Sequence, residues 1–317
     1  MCPNSSPSLY FYLKIDIMAM IKRRFGWTSV EVPVIGQGTW EIHPESEFRA
    51  IEALRFGLDL GLTHIDTAES YGRAEELVAE AIVGRRDEVF LVGKVHPANA
   101  SYDATLRACD QSLKRLKTDW LDLYLLHWRS RHPIEETMRA MEVLVASRQI
   151  RFIGVSNFSV SRVRAAQRAL RTERLACNQV RYHLGARGIE RRLLSYCAEH
   201  EIAVVGYSPF AHGNFPSPSS PGGRILAEVG ERNHRTPRQV ALNFLTRHPG
   251  VFTIPKATSI GHVRENAGGA GWTLSAGDMT AIHHAFPVPS AIEEWMGKAI
   301  RKAVGCCANW RRPGSAR

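Results

Sequence analysis

The chain has 317 residues, of which 44% are hydrophobic and 23% charged, a composition typical of a folded globular protein with a sizeable core. No stretch approaches the roughly 18 consecutive apolar residues of a membrane span, and the composition also excludes collagen, coiled coil and general disorder. The net charge of +10 could indicate nucleic-acid binding, but residues 1–29 carry +3 and residues 291–317 carry +4, which leaves only +3 for the 261 residues between them.

Short apolar runs alternate with helical segments along the chain. The predicted strands, in chain order, are 33–36, 64–66, 89–94, 121–127, 152–156, 176–180, 203–208 and 252–256. Helices are predicted near 46–60, 74–83, 103–116, 134–147, 159–170, 189–200, 236–247 and 261–267, with a further segment at 275–285. Near-continuous apolar strands separated by helices are typical of parallel βαβ units. Eight such units predict an α/β fold, a single-domain (β/α)8 TIM barrel with an extra C-terminal helix.

The competing architecture is a doubly wound sheet with a glycine-rich dinucleotide turn after its first strand. Residues 36–41 read Gly-Gln-Gly-Thr-Trp-Glu and lack the third glycine of that fingerprint. The Pro-, Ser- and Gly-rich segment 212–223 is predicted to be a loop over the barrel mouth. We divide the chain into an N-terminal extension at 1–29, a barrel at 30–290 and a tail at 291–317. The extension could include a misassigned start.

The six cysteines form no Cys-x-x-Cys pair and no zinc-like spacing with histidine, which predicts unpaired thiols in a reducing compartment. The N-terminus lacks the basic region of a secretory signal. We expect a cytoplasmic protein with no metal, no membrane contact and no nucleic-acid partner.

Polar residues follow three adjacent predicted strands where a barrel carries its chemistry. Asp66 and Tyr71 follow the second strand, Lys94 ends the third and His127 ends the fourth. A buried lysine needs a carboxylate partner, and Asp66 is the candidate. The lysine charge would lower the pKa of Tyr71, which could then protonate a developing alkoxide while His127 orients the carbonyl oxygen. Each residue alone has an ordinary structural explanation, but the four together predict carbonyl chemistry.

These motifs resemble the aldo-keto reductase superfamily. The resemblance is carried by Asp-Thr-Ala-x-x-Tyr-Gly at 66–72, Lys94, Leu-Leu-His-Trp at 125–128, Gly-Val-Ser-Asn-Phe at 154–158, Asn-Gln-Val at 178–180, Tyr-Ser-Pro at 207–209, Ile-Pro-Lys-Ala-Thr at 254–258 and Arg-Glu-Asn at 264–266. It runs from about residue 30 to residue 289 and is closest to the prokaryotic carbonyl-reductase branch.

The resemblance implies a catalytic tetrad of Asp66, Tyr71, Lys94 and His127, and an extended NADP(H) across the mouth, with NAD(H) as a possible second cofactor. Its implied contacts are Gly38, Thr39, Trp40, Asp66, Ser156, Asn157, Gln179, Tyr207, Ser208, Pro209, Lys256, Thr258, His262, Glu265 and Asn266. Ser156, Asn157 and Gln179 would hold the carboxamide, Tyr207 would stack on the nicotinamide and Ser208 would contact the pyrophosphate. The substrate pocket would consist of Trp40, Tyr71, His127 and Trp128, and would take a small-molecule carbonyl.

The sequence departs from the family where the 2′-phosphate of NADP would bind. Lys256 is present, but His262 stands where the family usually has arginine, and Ala257 replaces the serine after the lysine. Histidine offers no bidentate fork to a phosphate. Arg264 could substitute, although helical geometry turns it away from the direction of His262. NADP therefore remains the favoured cofactor, with a weaker preference over NAD or use of both.

The same residues leave alternative functions open. A cofactor-binding, redox-sensing regulatory subunit, such as the potassium-channel β-subunits, would share the barrel and show little turnover. Nucleic-acid binding through the basic ends is a further hypothesis. Metal-dependent hydrolysis lacks its ligands, because no carboxylate cluster or His-x-His strand end occurs. We expect a monomeric reductase that converts aldehydes and ketones to alcohols (EC 1.1.1.-).

Overall fold

The computed structural model describes residues 20–290. A short antiparallel hairpin of β1 (Lys22–Arg24) and β2 (Glu31–Pro33) comes first. Phe25 in its turn is fully buried, with its ring centroid 4.9 Å from that of Phe90 and 5.0 Å from that of Phe252. The hairpin therefore closes the bottom of the barrel, and it begins inside the segment predicted as an N-terminal extension.

Eight strands form one parallel sheet in which each strand pairs with its neighbour in sequence. They are β3 (Gln37–Gly38), β4 (His64–Asp66), β5 (Phe90–Val95), β6 (Leu121–Leu126), β7 (Ile150–Ser156), β8 (Leu175–Arg181), β9 (Ala203–Tyr207) and β10 (Val251–Ile254). Parallel bridges from Ile35 to Thr253 and from Gly38 to Lys256 close the sheet. The predicted (β/α)8 barrel is confirmed.

Ten α-helices occur among residues 20–290. They are α1 (Glu47–Asp59), α2 (Ala74–Ala81), α3 (Tyr102–Leu116), α4 (Ile134–Ala146), α5 (Val160–Ala169), α6 (Leu193–Glu199), α7 (Pro221–Asn233), α8 (Pro237–Leu245), α9 (Ile260–Ala267) and α10 (Ala276–Ala285). No helix in this part of the chain is long and apolar enough to cross a membrane.

Local sequence explains several helix boundaries. Thr236 and Gln239 form a reciprocal capping box at the start of α8, and Pro237 occupies the first helical position, where its missing N–H costs nothing. Ser220 and Pro221 start α7 in the same way, with the Ser220 hydroxyl accepting from the Gly223 amide. These signals fix the residues at which α7 and α8 begin.

Two predicted elements differ from the structure. The first barrel strand lies at Gln37–Gly38 rather than at 33–36, because Glu31–Pro33 pairs in the hairpin instead. Helix α7 follows residues 212–220 and was not predicted, because the Pro- and Ser-rich composition of the loop obscured the Ser-Pro start signal. The tail at 291–317 and the question of the start before residue 20 lie outside the described residues.

Candidate active site

Lys94 lies beneath the barrel mouth and is completely buried. Every residue of β5 is buried, and Lys94 Nζ is 2.5 Å from Asp66 Oδ1 and also donates to the carbonyl oxygen of Thr67. Burial alone would lower the pKa of Lys94, but the electrostatic and hydrogen-bonding effects of Asp66 and Tyr71 together outweigh it, and the pKa is raised. The lysine is therefore held as a cation at the base of the site.

Tyr71 lies between that cation and His127. Its hydroxyl is 3.4 Å from Lys94 Nζ and 3.4 Å from His127 Nε2. Burial raises the pKa of Tyr71, and the opposing effect of Lys94 does not cancel it, so the pKa is above its ordinary value. This direction is opposite to the sequence-based expectation, which counted the ammonium charge and not the loss of water around the phenol.

His127 is also enclosed, with 8% of its surface exposed. Burial, followed by the charges of Lys94 and His96, lowers its pKa to about 2. The imidazole is therefore neutral at every working pH and can act only as a hydrogen-bonding group. Its ring lies 4.2 Å from that of Trp128 and 5.5 Å from that of Tyr71.

Gln179, predicted to hold the cofactor carboxamide, also contacts the ion pair. Its amide Nε2 donates to Asp66 Oδ2 at 2.6 Å, so this end of the side chain supports the ion pair. Burial raises the pKa of Asp66 above its ordinary value, although the charge of Lys94 and the hydrogen bonds from Lys94 and Gln179 oppose that effect. Both carboxylate oxygens of Asp66 thus have strong donors, as a buried charge requires.

Asn157 joins three strand ends at the mouth. Its Nδ2 donates to the carbonyl oxygen of His127 at 3.2 Å and to Ser156 Oγ at 3.1 Å, while its Oδ1 accepts from the Tyr207 hydroxyl at 2.8 Å. The residue adopts φ +63°, a left-handed conformation that asparagine tolerates better than most residues. Asn157 therefore fixes the end of β7 against the ends of β6 and β9.

A cavity of about 600 Å³ opens at this mouth. Of the residues predicted from the sequence, it is lined by Gly38, Thr39, Trp40, Asp66, Tyr71, His127, Trp128, Ser156, Asn157, Gln179, Tyr207, Ser208, Pro209 and Lys256. Lys94 lies just below it. Phe210 and His212, which belong to the loop expected at the mouth, also line the cavity. Sequence reasoning missed Ser70 and Glu41, which line it as well. The one sequence feature that could have indicated Ser70 is its position immediately before Tyr71.

The remaining predicted cofactor residues lie outside this cavity, on or near α9. Thr258 precedes the helix, and His262 is exposed in its first turn. Glu265 accepts from the Thr236 hydroxyl at 2.8 Å, and Asn266 is buried. Arg264 stacks over the ring of Phe56 at 5.3 Å, so it points towards α1 and does not replace an arginine at position 262.

In residues 20–290, no three His, Cys, Asp or Glu side chains are grouped so that they could hold a metal ion. Cys109, Cys177 and Cys197 are free and buried.

Comparison with known proteins agrees with this geometry. The sequence profile of the Aldo/keto reductase family matches residues 34–286. Methylglyoxal reductase YeaE of Escherichia coli is 42% identical over 264 residues, which cover 82% of this chain and 93% of that protein. Glyoxal reductase of Bacillus subtilis is 33% identical over 256 residues, which cover 80% of this chain and 88% of that protein.

Solved structures give the same result. An aldo/keto reductase from Klebsiella pneumoniae in complex with NADP and acetate superposes with a TM-score of 0.79 and 44% identity, covering 85% of this chain and 96% of that one. A Klebsiella pneumoniae aldo-keto reductase in complex with NADPH gives a TM-score of 0.80 and 45% identity, covering 86% of this chain and 97% of that one. These relatives give no support to the alternative of a redox-sensing regulatory subunit. With its motifs, barrel and relatives in agreement, the chain belongs to the aldo/keto reductase family.

Proposed function

We propose that this protein reduces small neutral aldehydes and ketones, with methylglyoxal-like dicarbonyls as the first candidates, using NADP(H). The observation that carries the proposal is the Lys94–Tyr71–His127 arrangement, in which a cation and a neutral imidazole each lie 3.4 Å from one phenol oxygen. The two relatives described above are a methylglyoxal reductase and a glyoxal reductase, and the Klebsiella pneumoniae structures contain NADP or NADPH.

The residues at the mouth fit a nicotinamide dinucleotide. Asn157 and Ser156 present amide and hydroxyl groups, and the half-buried ring of Tyr207 offers an aromatic face for stacking. At the other end Lys256 is exposed and has no ion-pair partner within residues 20–290, so its ammonium is free for a phosphate. With no arginine at position 262, NAD(H) remains a possible second cofactor.

When bound, the cofactor supplies a hydride to the carbonyl carbon. The electron pair of the C=O π bond moves to the oxygen, and Tyr71 transfers its hydroxyl proton there to form the alcohol. Lys94 stabilises the phenolate that Tyr71 becomes, and Asp66 keeps Lys94 charged. Because His127 is neutral, it stabilises the substrate oxygen by hydrogen bonding and transfers no net proton.

The pocket walls favour neutral substrates. Trp40 and Trp128 are 43% and 40% exposed, an unusual state for tryptophan, and both line the cavity. Lys256, assigned to the cofactor, is the one lysine among the cavity-lining residues in the described part of the chain, and no arginine lines it. A carboxylate or phosphate on the substrate would therefore meet no dedicated cation.

We also propose the reaction class, the compartment and the oligomeric state. Action on the CH–OH group of donors (EC 1.1.1.-) follows from the tetrad chemistry. The three buried, unpaired cysteines suit the cytoplasm, where thiols stay reduced. A monomer is proposed because the single barrel holds every residue of the tetrad.

The test is consumption of NADPH and NADH by the purified protein with methylglyoxal and with an activated aromatic aldehyde. Tyr71→Phe should lower turnover by about 10²-fold to 10⁴-fold, the usual contribution of a general acid. Tyr102→Phe is the matched control, because the Tyr102 ring packs under Arg139 at the start of α3 and does not line the cavity. Unchanged turnover in Tyr71→Phe would rule out the mechanism. If the wild type turned over no combination of these cofactors and carbonyl substrates, the proposed function would be ruled out.

A further inference from the structure

Ser70 immediately precedes Tyr71 and contacts the other edge of His127. Its Oγ lies 3.4 Å from His127 Nδ1, while the hydroxyl of Tyr71 lies 3.4 Å from Nε2 of the same ring. Ser70 also lines the cavity and is solvent-exposed. Two consecutive residues of one loop therefore hold the two nitrogens of a single imidazole.

The neutral ring of His127 carries one N–H, and its position decides what Tyr71 can do. If the proton is on Nδ1, Nε2 is an acceptor, and the hydroxyl proton of Tyr71 is drawn towards it and away from the substrate. If the proton is on Nε2, that N–H donates to the Tyr71 oxygen or to the substrate oxygen bound beside it. The hydroxyl proton of Tyr71 is then free to point into the cavity.

Lys94 favours the second arrangement. Its ammonium can only donate, and it does so towards the Tyr71 oxygen at 3.4 Å. A phenol oxygen that accepts from Lys94 and faces Nε2–H rather than a bare Nε2 keeps its own proton for the carbonyl oxygen, and that carbonyl oxygen can also accept from Nε2–H when it binds. This arrangement requires Nδ1 to be an acceptor, and the group within reach of Nδ1 is the hydroxyl of Ser70.

We propose that Ser70 is a positioning residue that donates its hydroxyl proton to His127 Nδ1 and thereby fixes the imidazole proton on Nε2. The inference rests on the proposed reductase function. In the reduction, the Tyr71 O–H bond breaks and a new O–H bond forms on the substrate oxygen, leaving a phenolate. The Nε2–H and Ser70 O–H bonds both stay intact, so Ser70 changes the rate without exchanging a proton with substrate.

The first test reads the tautomer directly and does not depend on turnover. Protein labelled with ¹⁵N-histidine is examined by NMR, and the His127 signals are identified as those missing from His127→Gln. The wild type should show a protonated Nε2 and an unprotonated, hydrogen-bonded Nδ1. A wild-type His127 protonated on Nδ1 would overturn the proposal whether or not the protein is a reductase.

The second test compares Ser70→Thr with Ser70→Val, which have nearly the same shape but differ in the hydroxyl. The Ser70→Thr variant should keep the Nε2–H form and most of the turnover. The Ser70→Val variant should give a mixture of tautomers and lower kcat by about fivefold to tenfold, the effect of one hydrogen bond, with little change in the KM for NADPH. Ser161→Ala, which removes an exposed hydroxyl outside the cavity, serves as the control.

The outcomes separate the two proposals. Equal kcat in Ser70→Thr and Ser70→Val, with measurable wild-type turnover, would overturn the role of Ser70 and leave the reductase function standing. No wild-type turnover with any carbonyl substrate would remove the function, while the NMR result would still decide the tautomer. A parallel loss of kcat and of thermal stability in Ser70→Val alone would identify a structural role and also overturn the proposal.

Discussion

The side-chain amide of Gln179, at the end of β8, donates to Asp66 Oδ2 at 2.6 Å across the barrel mouth. The same carboxylate accepts from Lys94 through Oδ1. Gln179 is therefore part of the support for the buried ion pair, although its position in the sequence suggested contact with a cofactor. Gln179 can support the ion pair and also contact a cofactor only through its side-chain carbonyl oxygen, because its Nε2 already donates to Asp66.

Replacing Gln179 should therefore destabilise the fold as well as the site. Gln179→Ala leaves one oxygen of a buried carboxylate without a donor, which we expect to lower the free energy of unfolding by about 1–3 kcal/mol. Urea unfolding measures this, with Gln111→Ala on the exposed face of α3 as the control. Equal stability of Gln179→Ala and wild type would show that solvent satisfies Asp66 and that the contact is dispensable.

Removing the charge of Lys94 should be more costly. Lys94→Met leaves Asp66 as an unpaired buried carboxylate, and we expect a loss of about 3–5 kcal/mol in unfolding free energy together with loss of turnover. The double variant Asp66→Asn/Lys94→Met removes both charges, so it should regain stability but not activity. Lys114→Met, which breaks an exposed pair with Asp110, should cost less than about 1 kcal/mol. A double variant as unstable as the single one would argue against the ion-pair explanation.

The strand-end positions explain why much of this site could be predicted. A barrel brings the carboxyl ends of β4, β5 and β6 to one mouth, so Asp66, Lys94 and His127 are neighbours as soon as the strands are recognised. The pKa direction of Tyr71 could not be predicted in the same way, because it depends on how completely the phenol is desolvated. The contact of Gln179 with Asp66 depends on a rotamer, which no spacing in the sequence specifies.

His64, on the inner side of β4, gives a prediction about pH. Burial, followed by the charge of Lys94, lowers its pKa to about 3, and neither ring nitrogen has a hydrogen-bond partner among residues 20–290. Between this value and the ordinary pKa of about 6.5, the unfolded chain binds a proton that the folded protein excludes. Stability therefore falls as the pH drops below about 6.5.

His64→Phe removes this titration and fits among the rings of Phe25 and Phe90. The difference in unfolding free energy between pH 8 and pH 5 should shrink by about 2 kcal/mol relative to wild type. Any change in packing is the same at both pH values and cancels in this comparison. His132→Phe, at an exposed loop position, should leave the difference unchanged. An unaltered pH dependence in His64→Phe would mean that His64 binds a proton at pH 5 in the folded protein as it does in the unfolded chain.

His262 gives the last prediction, on cofactor preference. It is exposed in the first turn of α9, after Lys256, and offers no bidentate fork to a 2′-phosphate. His262→Arg should tighten NADPH binding by about tenfold, through charge-assisted hydrogen bonds, and leave NADH binding unchanged because NADH lacks that phosphate. Fluorescence titration of both cofactors measures the two dissociation constants. Arg264→Gln is the control, because Arg264 stacks on Phe56 and should not affect either constant. If His262→Arg tightened NADH as much as NADPH, or if Arg264→Gln weakened NADPH alone, the phosphate would bind elsewhere than between Lys256 and position 262.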